Sequence, residues 1–166
     1  MPNCSVVSKS WSELTTTDLY SFLKLRTDVF FLEQRINETE LDWRDSEEAT
    51  RHFWVADAAG AAAYLRVLVD DAPTHHDAAH IIGRVVVRED RRGEGLAQVL
   101  IAEVLQQYGH LPFVLHAQEY VAPLYAKFGF LPAGDVFEEA GMPHLTMYRA
   151  AVAPAEPGSE PTTPSA

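Results

Sequence analysis

The sequence predicts an α/β fold, a central sheet with helices packed against it. Three observations carry this reading. The apolar run Ile81 to Val87 leads through a glycine-bearing stretch, Arg88 to Ala97, into an amphipathic run that begins at Leu96. That is the order strand, tight turn, helix. Before it, two strand-like runs flank Ala58-Ala59-Gly60, the pattern of a hairpin. After it, strand-like and helix-like segments alternate as far as residue 149.

Taken in order, residues 5 to 11 read as a first strand. Thr15-x-x-Asp18 has the form of a capping box, in which two side chains satisfy the open amides of a helix start. The helix that follows places Leu19, Phe22, Leu23, Val29 and Phe30 on one face. Arg26 falls on that apolar stripe. It either snorkels at the stripe's edge or faces a cleft as a satisfied charge. Glu33 and Gln34 end the segment. Residues 35 to 51 carry Glu38, Glu40, Asp42, Asp45, Glu47 and Glu48 with little apolar periodicity. A loop or broken helix is expected there, forming a solvated or substrate-facing acidic flap. A calcium loop is not, because the stretch lacks the glycine its tight turn needs.

The hairpin pairs His52 to Asp57 with Ala61 to Val69. In the next loop His75, His76, Asp77 and His80 have neither the finger nor the paired-helix spacing of a zinc site, and read as a polar turn. His80 to Val87 is the strand that feeds the glycine turn, and its near-continuous apolar character suggests burial on both faces. The helix from Leu96 carries Val99, Leu100 and Val104 on one side and ends near Gly109. Phe113 to Ala117 is a strand. Tyr120 to Phe128 is a short helix, with Pro123 in its first turn and Gly129 closing it. Strands at about 131 to 137 and 144 to 149 bring the count to about seven. Residues 1 to 149 are expected to form one domain. Residues 150 to 166 hold four of the ten prolines and are expected to be a disordered Pro/Ala/Thr-rich tail.

Composition narrows the function. A net charge of −11 argues against nucleic acid as a partner. No apolar run approaches the roughly 20 residues of a membrane span. The N-terminus carries no signal peptide pattern, and Cys4 is the single cysteine. A cytoplasmic monomer or homodimer is expected, without metal. The acidic excess suits a cationic substrate such as an amine, or serves solubility.

The chemistry centres on the glycine turn. Gly93 and Gly95 let the backbone turn tightly. The amides of Gly93, Gly95, Leu96 and Ala97 then project from a helix start with no partner inside the helix, which favours an anion. Arg88, Arg91 and Arg92 add cationic donors, and a diphosphate fits best. The ATP-binding P-loop pattern is absent, and the dinucleotide fingerprint breaks at Gln98. What does match is Arg92-x-x-Gly95-x-Ala97 after a strand ending at Val87. This resembles motif A, [QR]-x-x-G-x-[GA], of the GNAT acyltransferase superfamily, which binds acetyl-coenzyme A (acetyl-CoA). Tyr125-Ala-Lys-Phe-Gly129-Phe130 resembles the superfamily's Y-x-x-x-G-F segment. Leu25-Arg26-x-x-Val29-Phe30-x-x-Glu33-Gln34, Arg51-His52, Ile82-Gly83-Arg84-Val85 and Gly141-Met142-Pro143-His144 resemble its ElaA-like subgroup.

The resemblance covers residues 5 to 149. It implies a GNAT fold, with a mixed, mostly antiparallel sheet of about seven strands, splayed at the acetyl-CoA site and flanked by helices. It implies an acetyl-CoA-dependent N-acetyltransferase acting on a primary amine of a small molecule or peptide. The alternative is a non-catalytic acyl-CoA-binding sensor or partner module. The expected cofactor site comprises the backbone of Val85, Val86 and Val87, the turn Arg92, Gly93, Glu94, Gly95, Leu96 and Ala97, and Gln118, which stands where many members have Asn. Tyr125 is the expected proton donor to the leaving thiolate. A lysine-like amine, with a pKa of about 10.4, must lose a proton before it attacks. The candidate bases are Glu33, His52, His116 and His144. Arg26, Glu33, His52 and His144 are the candidate substrate contacts, with Arg26 meeting a substrate carboxylate.

Overall fold

The computed structural model describes residues 4–153. The expected tail lies, from residue 154 onward, outside them. An eight-stranded sheet forms the centre. β1 (Val6–Ser10), β2 (Arg51–Asp57), β3 (Gly60–Val69) and β4 (His80–Val87) run as an antiparallel meander. β5 (Phe113–Gln118) lies parallel to β4, and β8 (Met142–Arg149) antiparallel to β5. Two short strands, β6 (Leu131–Pro132) and β7 (Phe137–Glu139), both pair with β8. The single strand expected over 131 to 137 is therefore two pieces. The chain breaks between them at Gly134, where φ is 89°.

Helices cover both faces. α1 (Thr16–Arg26) starts at the expected box: Asp18 N–H donates to Thr15 Oγ1 at 3.1 Å, and Thr15 N–H donates to Asp18 Oδ2 at 3.0 Å. After Arg26 the helix widens over Thr27–Glu33, and the amide of Gln34 reaches back five residues to the carbonyl of Val29. Such widened turns recur at functional sites. α2 (Leu96–Tyr108) and the short α3 (Ala122–Ala126) lie on the opposite face. Alternation along β2 and β3 supplies both cores. Phe53, Val55, Leu65 and Val67 pack toward α2 with Leu100, Ile101 and Val104. Trp54, Tyr64 and Ala61 pack toward α1 with Phe22 and Leu25. Each such large side chain, fully buried, contributes about 1.5–3 kcal/mol.

β4 departs from a regular strand. Its register against β3 shifts between Tyr64 and Arg66, and Arg84 sits at φ 55°. This is a bulge: one extra residue that bends the strand. Ile82 and Val86 are four residues apart and would share a face in an even pleat, yet Ile82 is buried in the α2 core and Val86 in the α1 core. Ile82 and Val86 are also the only fully buried residues of β4, the other six being half-buried. The sequence suggested burial on both faces along the whole run. Each face has its core, but much of the strand borders an opening.

Candidate active site

β4 and β5 are paired only at their first residues, His80 with Phe113 and Ile81 with Val114. Beyond these they part, because β4 stays with β3 while β5 continues along β8. The gap is a cleft of about 1130 Å³, bordered by Val85 and Val87 of β4, His116 and Gln118 of β5, and Tyr125 of α3. The amide of Arg88 donates to Ala62 of β3. Successive amides along a strand point to opposite edges, so the amide of Val87 is directed into the gap.

The glycine turn stands at the mouth of this cleft. Gly93 and Gly95 have φ of 81° and 79°, the left-handed region that costs other residues energy. A Cβ at Gly93 would meet nothing within 4 Å, and one at Gly95 only Gln98 Oε1 at 3.9 Å. Backbone conformation, rather than crowding, is what requires glycine here. Gly95 opens α2 without any capping side chain, so the first-turn amides keep their donors.

The three arginines of the turn behave differently from one another. Arg88 binds Asp57 (2.6 Å) and Asp90 (2.6 Å), while Arg91 binds Glu94 (2.9 and 2.8 Å) and also Asp57. These two pin the turn to the β2–β3 hairpin. The hydrogen bond from Arg88 leads in holding the Asp57 carboxyl well below the usual carboxylate range. Only Arg92 borders the cleft. Its guanidinium makes a two-point pair with Glu33, 2.7 Å at each contact, and its Nε donates to Val87 O at 3.2 Å. The expectation of three cationic donors at the anion site is thus corrected to one, Arg92, which Glu33 already engages.

Tyr125 is buried against Phe130, ring centroids 6.1 Å apart, and borders the cleft. Burial, with Tyr120 nearby, pushes its hydroxyl pKa up, so it holds its proton. Across the cleft, His116 Nδ1–H donates to Glu139 Oε1 at 3.1 Å. His144 Nδ1 lies 2.9 Å from Met142 O and His144 Nε2 lies 3.8 Å from Glu139 Oε2.

Comparison with known proteins decides the family. The Acetyltransferase (GNAT) domain model matches residues 25–150. ElaA of Escherichia coli is 37% identical over 144 residues, covering 83% of this chain and 91% of that protein. Its crystal structure superposes with a TM-score of 0.79 over 88% of this chain and 99% of that one, at 33% identity. The crystal structure of an acyl-CoA N-acyltransferase from Pseudomonas aeruginosa gives 0.78 over 89% and 99%, at 34% identity. A UPF0039 protein of Mycobacterium tuberculosis is 37% identical over 138 residues, 82% of this chain and 87% of that one.

The chain belongs to the GNAT acetyltransferase superfamily. Its α/β architecture, with a mixed, mostly antiparallel sheet, is that of the family. Membership supports acetyltransferase activity on an acetyl-CoA donor, and the GNAT fold implies a site for that co-substrate. The residues present fit it. The uncapped start of α2, the left-handed glycines with open space above them, and Arg92 suit a diphosphate; the gap beyond Val87 suits an extended chain leading to Tyr125. Among the described residues no group of three or more His, Cys, Asp or Glu side chains is placed to hold a metal ion, and no helix is long and apolar enough to cross a membrane.

Two of the sequence candidates do not reach the GNAT cleft. Arg26 is fully buried. Its Nη1 donates to Asp45 Oδ1 (2.8 Å) and its Nε to Glu40. It neither snorkels nor meets substrate; it anchors the acidic segment. His52 is likewise fully buried, between Asp45 O (3.0 Å) and the Tyr64 hydroxyl (2.7 Å), where burial lowers its pKa. A carbonyl only accepts, so Nε2 carries the proton and Tyr64 donates to Nδ1. His52 is therefore no base for a substrate. The acidic segment itself is corrected too. Arg66 grips Asp42 (2.9 and 2.5 Å) and Asp45 (2.9 Å), and Arg84, on the bulge, pairs with Glu40 at 2.8 Å. Glu40, Asp42 and Asp45 thus fold inward onto three arginines rather than forming a solvated flap, while Glu38 and Glu48 are exposed and Glu38 and Glu40 border the cleft.

Glu33, His116, Gln118 and His144 do border the cleft. Gln118 Nε2 donates to Gln34 Oε1 at 3.3 Å, which joins β5 to the end of the widened helix. Sequence reasoning missed Glu139. The Ala140-Gly141 pair, at φ 51° and 72°, is a two-residue hairpin turn. Read as one, it places Glu139 opposite Met142 and brings it beside His144.

Proposed function

We propose that this protein moves an acetyl group from acetyl-CoA to a primary amine of a small molecule or peptide, by direct attack of the amine on the thioester. One observation carries the reading: β4 and β5 part beside the uncapped start of α2, with Tyr125 in the gap and two histidines across it. Acetyl-CoA supplies an activated acyl group on a thiolate leaving group. The amides of Gly93, Gly95, Leu96 and Ala97, with Glu94 in the same turn, and the Arg92 guanidinium hold the diphosphate. The backbone of Val85, Val86 and Val87 aligns the chain and, through the Val87 amide, polarises the carbonyl. Gln118 hydrogen-bonds the same chain. Tyr125, kept protonated by burial, gives its proton to the thiolate. Of the candidate bases, His144 and His116 face the cleft, while Glu33 is taken by Arg92.

The test is thiol release from acetyl-CoA across amino acids, polyamines, aminoglycosides and peptides, with product mass showing an added acetyl group. Transfer to at least one primary amine is expected. Tight coenzyme A (CoA) binding with no transfer to any of them would replace the enzyme reading with a sensor.

A further inference from the structure

We propose that Glu139 and His144 form the subsite that receives the acceptor's ammonium group, an inference that rests on the acetyl transfer proposed above. The two residues stand on one hairpin. Glu139 ends β7, the turn at Ala140-Gly141 follows, and β8 carries His144 opposite both Phe137 of β7 and Gln118 of β5. Phe137 packs against both histidine rings, at 5.1 Å from His116 and 6.1 Å from His144.

The hydrogen bonds orient every polar atom of the group. Met142 O can only accept, so in the neutral imidazole the bonded Nδ1 of His144 carries the proton and Nε2 presents a lone pair. One carboxylate oxygen of Glu139 is occupied by His116 Nδ1–H. The other, Oε2, faces His144 Nε2 at 3.8 Å. In that neutral form two acceptors confront each other, too far apart for a hydrogen bond. A single nitrogen bonded to both, at about 2.8–2.9 Å each, fits that spacing. An ammonium group brings three donors and a positive charge, so it satisfies both acceptors at once. Both residues border the cleft, and Glu139 stays accessible, its side chain 43% exposed. His144 is 8% exposed by the same measure, which keeps its ring fixed.

The subsite also moves the proton. The ammonium gives one proton to His144 Nε2, and the neutral amine remains on Glu139 Oε2. The amine nitrogen forms the C–N bond to the acetyl carbon. The C–S bond breaks with its electron pair passing to sulfur, which takes the Tyr125 proton. The second nitrogen proton returns to the Tyr125 oxygen through water, and the proton on His144 leaves to solvent. The products are the acetylated amine, free thiol and one proton.

The experiment has a binding arm and a kinetic arm. Calorimetry on the CoA-loaded protein uses 1,5-diaminopentane and, as the uncharged counterpart, pentane-1,5-diol. The diamine binds and the diol does not, and Glu139→Gln weakens the diamine about ten- to a hundredfold while CoA affinity is kept. In turnover, Glu139→Gln raises the acceptor KM by a similar factor with kcat and the acetyl-CoA KM nearly unchanged, and Glu139→Asp restores part of the loss. His144→Gln lowers kcat about a hundredfold or more, with CoA affinity serving as the check on its fold. No diamine binding by the natural protein, or an acceptor KM indifferent to Glu139, overturns the subsite while leaving acetyl transfer standing. Glu139-dependent diamine binding without thiol release from any amine overturns acetyl transfer and leaves the subsite standing.

Discussion

Arg92 and Glu33, 59 residues apart in sequence, hold each other through two parallel contacts of 2.7 Å. The pair joins the end of the widened helix to the start of the cofactor turn. It also occupies the one arginine of the turn that borders the cleft, which the proposed function assigns to the diphosphate. The hydrogen bond from Arg92 keeps the Glu33 carboxyl below its ordinary range, so Glu33 remains a charged competitor for Arg92 at neutral pH. Glu33→Gln should therefore tighten CoA binding roughly two- to fivefold, the modest scale of a half-exposed pair. Calorimetry reads this directly. Weaker binding in the variant would mean that Glu33 positions Arg92 and does not compete for it.

Arg92→Ala removes the charge-assisted contact altogether. CoA binding should weaken about ten- to a hundredfold with the melting temperature little changed, because both members of the lost ion pair are 41% exposed. Unchanged affinity would remove Arg92 from the site.

Tyr125→Phe keeps the buried ring and its contact with Phe130 but deletes the hydroxyl. Turnover should fall roughly a hundredfold, the low end for a general acid because a thiolate leaves readily, with CoA affinity nearly constant. Single-turnover measurement is required, since product release can mask a chemical step. A variant of normal single-turnover rate would make Tyr125 a packing residue only.

Gly95→Ala tests the turn. Nothing lies closer than 3.9 Å to the added methyl group, so the cost is that of a left-handed backbone, about 1–2 kcal/mol. Gly95→Asn should recover part of it, since Asn tolerates this region. Urea denaturation measures both, and equal stability of all three proteins would contradict the assigned φ.

Acid should weaken the inward-folded segment. Burial works to raise the Asp42 pKa, but hydrogen bonds from Arg66 and the charges of Arg66 and Arg84 overcome it and hold the value at about 2. Asp45 shifts the same way, burial being outweighed by Arg26 and Arg66. Lowered carboxyl pKa values contribute stability that is complete above the ordinary carboxylate range and is lost as pH falls through the folded values. Stability should therefore decline from about pH 4 toward pH 2. Asp42→Asn should be less stable than the natural protein at pH 7, with the difference shrinking in acid. A difference independent of pH would show that the charge of Asp42 is not what matters.

Local signals in the sequence located much of this architecture, and distant pairings escaped it. The Thr15–Asp18 box and the Gly93–Gly95 turn each lie within a few residues, where side-chain chemistry acts on its own backbone. The bulge at Arg84 has no such mark, because arginine is not a residue that announces a positive φ. The role of Arg26 depends on partners 14 and 19 residues onward. A charge on an apolar stripe followed by a run of acids is the signal that those acids can turn inward, and the expectation of a solvated or substrate-facing flap passed over it. His52 was equally ambiguous, since a strand histidine points to either face according to register. The histidine end of the cleft was half legible: both histidines were candidates, but the Ala140-Gly141 turn that pairs β7 with β8 and adds Glu139 was not among the expectations.

The bulge in β4 separates the constraint on packing from the constraint on shape in this part of the gene. Ile82 and Val86 belong to opposite cores because one surplus residue lies between them. Replacing any one of Gly83, Arg84 or Val85 leaves that phase intact. Deleting the surplus residue would leave it intact too: Ile82 and Val86 would then stand three apart in an even pleat, still on opposite faces and with the flanking pairs to β3 kept, but the local bend of the strand would be lost. A codon lost here should therefore spare the packing of both helical layers and straighten the border of the cleft, so that the variant folds while the opening beside Val87 changes shape.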